Sequence, residues 1–304
     1  MFSNHAGINI TETKLQLVEI CYKENAFFLE NIDQVVHKEL LTNLLPEERF
    51  ISLLEDSFEK ITKKKQLTSK NISFALPNNF FKIFEVPYDE SLVKKDLNEH
   101  FRWELAILFP DINSEDYLIQ HIEVDKSNYR KEKNAIVFGI DKNLVNSINK
   151  FCLSNNLILK YVDNVHLASN AFLYMEKNKT ENEIALSFYI DQKHSSISAI
   201  DGVSPFYFKV LDPNGQNIFD ELTFAVNSLE EFNVHLNDFK RVLLYGQDVT
   251  EEFEHKLKNF FGLPLKKINP FEYLRPGDGV ENNTFYKLKS NSFSAATGIA
   301  IRIV

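Results

Sequence analysis

A pattern of strand-like and helix-like segments near the start of the chain returns, in the same order, in its second half. Each copy has three strand-like segments, then a helix and a further strand. In the first copy these segments lie at residues 6–10, 15–20, 27–36, 46–65 and 72–76. In the second copy they lie at residues 184–190, 195–200, 206–211, 218–232 and 241–245. A duplicated β-β-β-α-β unit predicts an α/β chain with two mixed β-sheets, helices on their faces and a cleft between two related halves.

The segment between the two copies interrupts the first half. Residues 78–133 contain two strand-like segments around one helix, a pattern typical of a small α+β insertion, at residues 80–86, 91–108 and 117–124. Buried-type strands and helices then return at residues 135–140, 142–154, 158–163 and 165–175. A charged stretch follows at residues 176–183. We therefore predict a first domain of residues 1–77 and 134–178, an inserted subdomain of residues 78–133, and a second domain of residues 179–304.

Composition excludes several classes of protein. The net charge of −9 argues against a nucleic-acid partner or an anionic membrane surface. No apolar run approaches the roughly 20 residues of a membrane-spanning helix, and the N-terminus is too polar for a signal peptide, so we expect an intracellular protein. Cys21 and Cys152 lack the spacing of a metal site. Glycine accounts for 9 of the 304 residues, about half the usual share, which weighs against loops that cradle phosphate.

Six short segments, in order along nearly the whole chain, match the motifs of a known family. They are GINITETKLQLVEI (7–20), FRWE before FP (101–110), YVD (161–163), LLYGQ (243–247), GLPL (262–265) and AATGIAIR (295–302). Together they resemble the PilM-type proteins of type IV pilus and related secretion machines, which have the actin-like ATPase superfold. The resemblance implies a duplicated actin-like, RNase H-like fold of two mixed β-sheet domains, with the α+β insertion in the first domain.

The resemblance also indicates where a nucleotide would bind. In this superfamily two β-hairpins clamp the phosphates of ATP, and each hairpin supplies an aspartate for Mg²⁺ and a glycine for close backbone approach. The residues that correspond to this site, and that would contact ATP and Mg²⁺ if these are bound, are Thr11, Glu12, Thr13, Lys14, Asp163, Asp191, Lys193, His194, Ser195, Gly246 and Gln247.

Most of the groups that this chemistry needs are replaced. Asn9 stands for the first aspartate and Thr11 for its glycine, while Tyr189 stands for the second aspartate. Only Asp163 and Gly246 are retained among three acids and four glycines. Because an amide binds Mg²⁺ poorly and phosphoryl transfer depends on these charges, we predict a protein without catalytic residues, metal or cofactor.

Two other functions remain open from the sequence. The first is an ATPase of the same fold whose nucleotide state switches its conformation and partner binding, with Asp163 and Asp191 holding Mg²⁺. The second is a relative of the sugar or acetate kinases, for which the sequence offers no candidate catalytic acid.

The insertion is unusually rich in aromatic residues, and two interpretations fit them. They either pack against the main domain or line an exposed groove that binds a partner segment. The set is Phe80, Phe81, Phe84, Phe101, Trp103 and Phe109. The family resemblance implies a partner, the short cytoplasmic N-terminal segment of a bitopic inner-membrane pilus or secretion protein. We therefore predict a cytoplasmic, non-catalytic scaffold that is joined peripherally to the inner membrane through this partner, without inserting into the bilayer, and that can also form homo-oligomers.

Overall fold

The computed structural model describes residues 4–127, 129–175, 183–191, 195–211, 217–247 and 249–302. The strands in these ranges are β1 His5–Ile10, β2 Lys14–Lys23, β3 Ala26–Val36, β4 Asn71–Leu76, β5 Phe81–Pro87, β6 Tyr117–Val124, β7 Asn134–Asp141, β8 Ile158–Asn164, β9 Ile184–Ile190, β10 Ser195–Asp201, β11 Ser204–Leu211, β12 Arg241–Gly246, β13 Leu265–Lys267 and β14 Arg275–Pro276. The helices are α1 Glu47–Thr62, α2 Lys94–Leu108, α3 Lys142–Ser154, α4 Val165–Ser169, α5 Phe172–Met175, α6 Ile218–Ser228, α7 Glu251–Phe261, α8 Thr284–Leu288 and α9 Ser294–Ile301.

The two main sheets share one topology, which confirms the predicted duplication. The first sheet has the order β14-β3-β2-β1-β4-β8, and the second has the order β11-β10-β9-β12-β13. In each, three antiparallel strands are followed by parallel ones: β1 pairs with β4 in parallel, as β9 does with β12. The carboxyl ends of β1 and β9 therefore carry equivalent hairpins.

Helix ends follow from local sequence. Pro46 precedes α1, and Glu47 and Glu48 lie in its first turn, where acidic groups favour the helix dipole. The side chain of Thr250 caps α7 by accepting from the Phe253 N–H at 3.2 Å, and Gly262 ends it in the left-handed conformation, with φ of 62°.

The inserted subdomain includes one more strand than the sequence predicted. β7 lies between β5 and β6 and is antiparallel to both, so the three form their own sheet. The predicted boundary at residue 134 assigned this strand to the first domain instead. The reason is that β7 is buried on two faces: Val137 packs with Phe101 of α2, whereas Ile136 joins the core of the second domain. Such a strand has the same apolar pattern as a central strand of a main sheet.

Short helices with small residues join the two halves. The single helix predicted for residues 165–175 is two helices, α4 and α5, with a turn between them. α9 lies against both β1 and α4 at very short range. A Cβ added at Gly7 would lie 2.1 Å from the Ala296 carbonyl oxygen, and one added at Gly298 would lie 1.9 Å from that of Ala168. Glycine is required at both positions because the backbones touch.

The helices of the described ranges are all too short or too polar to cross a lipid bilayer.

Candidate functional site

The turn between β1 and β2 is closed by a threonine side chain. The Thr11 hydroxyl accepts hydrogen bonds from the backbone N–H groups of Lys14 at 3.1 Å and Thr13 at 3.4 Å, and it donates to the Lys14 carbonyl oxygen at 3.2 Å. The Thr11 N–H also bonds to that carbonyl at 2.9 Å. In a phosphate-binding hairpin, free backbone N–H groups at this turn would point at the ligand. Here Thr11 occupies two of them.

A set of amide side chains connects the two halves of the chain where the sequence placed the nucleotide. The Gln247 Nε2 group, at the end of β12, donates to Gln16 Oε1 on β2 at 2.9 Å. Asn9 Nδ2 donates to the same oxygen at 3.0 Å. Asn9 and Gln16 are fully buried and Gln247 is 3% exposed. We call Asn9, Gln16 and Gln247 the amide bridge. It fills the cleft at this point with the protein's own side chains.

The amide bridge is tightly held on both sides. Gln16 Nε2 donates to Gln34 Oε1 on β3 at 2.9 Å, and the Gln247 backbone N–H donates to the Ile190 carbonyl at 2.8 Å. Gly246 makes the second contact possible: its φ is 121°, and a Cβ there would lie 1.8 Å from the Ile190 carbonyl oxygen. Within the described residues, Asn9 Oδ1 and Gln247 Oε1 accept no hydrogen bond. The bridge therefore retains two buried acceptors with unfilled capacity.

The retained acid does not lie free at the cleft. The Asp163 carboxylate forms an ion pair with Arg302, which follows α9, and its Oδ1 also accepts from the Asn164 N–H at 2.8 Å. Both partners of the ion pair line a separate cavity beside β8. Asp163 thus contributes to that cavity, and its charge is already neutralised by a cation of the protein.

Three other sequence-predicted nucleotide residues, Glu12, Asp191 and Ser195, lie on or beside the two hairpins. Glu12 is half-buried in the first turn, and Asp191 is half-buried after β9. Ser195 is buried at the start of β10, where it pairs with Ile190. Lys193 and His194 lie outside the described residues.

A buried histidine network, which the sequence analysis missed, links the halves next to the amide bridge. In His166 of α4, Nδ1 lies 2.7 Å from Ser196 Oγ and Nε2 lies 2.7 Å from Ser187 Oγ. Asn78 donates to Ser196 Oγ at 3.1 Å and accepts from Asn164 at 2.9 Å. Burial lowers the pKa of His166 to about 3, so the ring is neutral and provides one donor and one acceptor. The only sequence signal was the serines within otherwise apolar strands, one in β9 and three in β10.

The described part of the cleft does not fit a magnesium–nucleotide. Asn9, which the sequence analysis aligned with the metal-binding aspartate, is uncharged and bonds to Gln16. Gln247 also bonds to Gln16, and Thr11 accepts from two N–H groups of its own turn. Mg²⁺ in such sites needs carboxylate and phosphate oxygens. Among the residues that the structure describes, no group of three or more histidine, cysteine, aspartate or glutamate side chains could hold a metal ion.

A cavity of about 930 Å³ lies beside the first sheet. We call it the edge cavity, because five consecutive residues of the edge strand β8, from Leu159 to Asp163, form one wall. The opposite wall comes from the inserted sheet, with Leu118 and Ile122 of β6 and Phe138 of β7. The turn between β10 and β11 and the helices α4 and α5 close its remaining sides. The edge cavity therefore touches both domains and the insertion.

The aromatic residues of the insertion do not share one surface. Phe101 is fully buried behind the inserted sheet, and Phe80 is buried in the core of the first domain. Trp103 is 60% exposed on the other face of α2. Phe84 and Phe109 contact each other with ring centroids 6.1 Å apart. Of the six, only Phe81 lines the edge cavity. Four of the six, Phe80, Phe84, Phe101 and Phe109, therefore pack inside the subdomain or against its neighbour.

Three solved structures resemble this one over most of its length. A chain of the PilM–PilN type IV pilus biogenesis complex aligns with a TM-score of 0.74 at 17% identity, covering 98% of both chains. The cytoplasmic domain of EpsL, an inner-membrane component of the type II secretion system of Vibrio cholerae, aligns with a TM-score of 0.51 at 11% identity, covering 80% of this chain and 82% of that one. A Bacteroides thetaiotaomicron protein described as having an actin-like ATPase fold and unknown function aligns with a TM-score of 0.51 at 12% identity, covering 86% of this chain and 90% of that one.

No protein-family model matches the sequence, and no curated protein matches it either. At these identities the structural likeness concerns architecture. The chain has the actin-like ATPase fold, as the sequence motifs predicted.

Proposed function

We propose that this protein is a non-catalytic scaffold that docks by protein–protein contacts on an inner-membrane pilus-like or secretion assembly. The observation that carries the proposal is the contrast between the amide bridge, which fills the nucleotide position, and the edge cavity, which offers about 930 Å³ beside a strand edge. On this proposal the protein acts in the cytoplasm and reaches the membrane through its partner.

The cleft supports the non-catalytic part of the proposal. Phosphoryl transfer relies on charges that are placed before the reaction, and the loss of one such group commonly costs about 10²–10³ in rate. Asn9 brings no charge, and Asp163 is paired with Arg302. ATP would also have to displace Gln247 from Gln16 before its base could enter. The rival function, an ATP-driven switch, requires the amide bridge to open.

The edge cavity supports docking of an extended segment. No described strand pairs with the outer edge of β8, so its N–H and C=O groups are available to an added strand. The walls on both sides are mainly apolar, which suits alternate side chains of such a strand. The similarity to a PilM–PilN complex and to an inner-membrane component of a secretion system supports a membrane protein as the source of this segment.

Photo-crosslinking in the native cell tests the proposal. A benzoyl-phenylalanine at Leu118, which is 43% exposed and lines the edge cavity, is expected to capture an inner-membrane protein through its cytoplasmic segment. The matched control is the same group at Leu288 of α8, which is 77% exposed and lies outside the cavity lining. No product from Leu118, or the same product from both positions, would contradict docking in the edge cavity.

A further inference from the structure

The charges that line the edge cavity do not balance. Arg302 and Asp163 neutralise each other in an ion pair. His121 lies 3.8 Å from Glu123, and burial lowers the pKa of its ring, so it adds no positive charge at neutral pH. Lys160 also lines the cavity, and among the described residues no carboxylate lies within ion-pair distance of its ammonium group. Within the described ranges, one lysine of the lining is therefore left without a carboxylate, in a protein whose net charge is −9.

The backbone places this lysine at the free edge of β8. In the pairing with β4, Ile72 lies opposite Leu159 and Ser73 lies opposite Tyr161, so Lys160 has no partner and forms a bulge. A bulge bends the strand and turns the extra side chain away from its usual direction. The cavity runs along the edge of this strand, and five consecutive residues, from Leu159 to Asp163, line it.

Lys160 lies between apolar neighbours in the wall. Leu159 and Val162 line the cavity on either side of it, together with the ring of Tyr161. Lys160 is exposed in the free protein. A strand bound against the apolar wall would displace part of the water around its ammonium group, so that a pair with a carboxylate of that strand would be less screened. A strand that adds to β8 would bring its own side chains within about 5 Å of those of β8.

We propose that the segment that binds in the edge cavity is an extended, apolar strand with one acidic side chain, and that Lys160 selects it by pairing with this carboxylate. The inference rests on the proposed docking function and names the chemistry of the partner. A partner segment with a basic or neutral residue at that position would leave the ammonium group of Lys160 unpaired or repelled.

Peptide binding to the full chain tests this selection. The probes are three fluorescein-labelled heptapeptides of alternating valine and threonine whose central residue is Glu, Gln or Lys, and the readout is fluorescence anisotropy. An opposite-charge pair across two strands raises affinity roughly 2- to 5-fold, and a like-charge pair lowers affinity by a similar factor. We expect the wild-type protein to bind the Glu peptide about tenfold more tightly than the Lys peptide, with the Gln peptide between them.

Charge reversal supplies the decisive comparison. Lys160→Glu is expected to invert the order of the three peptides, and Lys160→Gln to remove it. Both variants change an exposed side chain, so their thermal unfolding should match that of the wild type. The control is Lys256→Glu on α7, which alters the net charge equally at a side chain that is 59% exposed and outside the cavity lining. This control should retain the wild-type order.

The outcomes separate the two proposals. Equal binding of the three peptides to the wild type would overturn selection by Lys160 while leaving docking in the cavity intact. If Lys160→Glu bound the three peptides in the same order of affinity as the wild type, selection by Lys160 would likewise be overturned and docking in the cavity would stand. If none of the peptides bound the wild-type protein at millimolar concentration, both the selection and the proposed docking of an extended segment would be wrong.

Discussion

The cleft between the halves and the edge cavity beside β8 differ in what satisfies their polar groups. In the cleft, Gln247, Gln16 and Asn9 hydrogen-bond to one another and are almost completely buried. In the edge cavity, the outer edge of β8 has no described strand beside it, and about 930 Å³ remains between its walls. A ligand in the cleft would have to break internal contacts, whereas a segment in the cavity would add contacts. On the proposed function, the protein's own side chains close the first of these sites and leave the second available to a partner.

Acid tests three buried histidines, of which His166 lies between the halves, and should have the largest effect. Burial lowers the pKa of His166 to about 3, and it lowers the pKa values of His5 and His37 to about 4. In the unfolded chain these rings take up protons near pH 6.5, so the unfolded state binds more protons between pH 6.5 and 4. The free energy of unfolding should therefore fall as the pH is lowered through this range, by up to about 4 kcal/mol per pH unit for three histidines.

Urea unfolding of a histidine variant at several pH values shows which residue causes the pH dependence of the free energy of unfolding. His166→Gln should make the pH dependence shallower by about 1.4 kcal/mol per pH unit. A profile for His166→Gln as steep as that of the wild type would show that His166 is protonated in the folded protein.

Gly246 tests how closely the strand ends meet behind the amide bridge. An alanine there would place Cβ against the Ile190 carbonyl oxygen, at 1.8 Å, in a left-handed backbone conformation. We expect Gly246→Ala to lower the free energy of unfolding by roughly 3 kcal/mol or more. The control is Gly262→Ala, where φ is also positive but nothing lies within 4 Å of the added Cβ. Its expected cost is about 1–2 kcal/mol, and equal costs at the two positions would contradict the close contact.

Gln247 tests the amide bridge itself. Gln247→Ala removes the hydrogen bond to Gln16 but also removes a buried carbonyl oxygen that has no partner among the described residues. The two effects oppose each other, so we expect a loss of about 1 kcal/mol in the free energy of unfolding. Gln120→Ala, an exposed residue of the edge cavity, should change it by less than about 0.5 kcal/mol. Denaturant unfolding measures the free energy of unfolding of both variants. A larger loss for Gln120→Ala than for Gln247→Ala would contradict the proposed difference between the cleft and the edge cavity.

Most strands and helices were predictable, because alternation and helical spacing are local properties of the sequence. β1 to β4 and β9 to β12 lie close to the predicted segments, and their repeated order indicated the fold. β7 was assigned to the wrong sheet, since an apolar strand does not specify which neighbours it pairs with. The helical spacing of α2 could have distinguished its buried aromatic residue from its exposed one. Leu97, Phe101 and Leu105 recur every four residues and form the buried face, whereas Trp103 lies outside this spacing.

The candidate site was less predictable, because its contacts join residues far apart in the chain. The sequence comparison predicted that Asn9 and Thr11 stand where the family has an aspartate and a glycine. That Gln247 would bond to Gln16, or Arg302 to Asp163, could not, since neither pair has a local signature. The edge cavity is likewise formed by at least seven separate parts of the chain, from Phe27 to Arg302.

Unfolding of the full chain with and without Mg-ATP tests most directly whether the amide bridge excludes a nucleotide. A ligand at 100 times its dissociation constant adds about 2.7 kcal/mol to the free energy of unfolding, and Mg²⁺ alone serves as the control. We predict that millimolar Mg-ATP leaves the free energy of unfolding unchanged. A nucleotide-specific increase of a few kcal/mol would show that ATP enters the cleft in place of the Gln247–Gln16 contact, and would contradict the proposal of a closed, non-catalytic cleft.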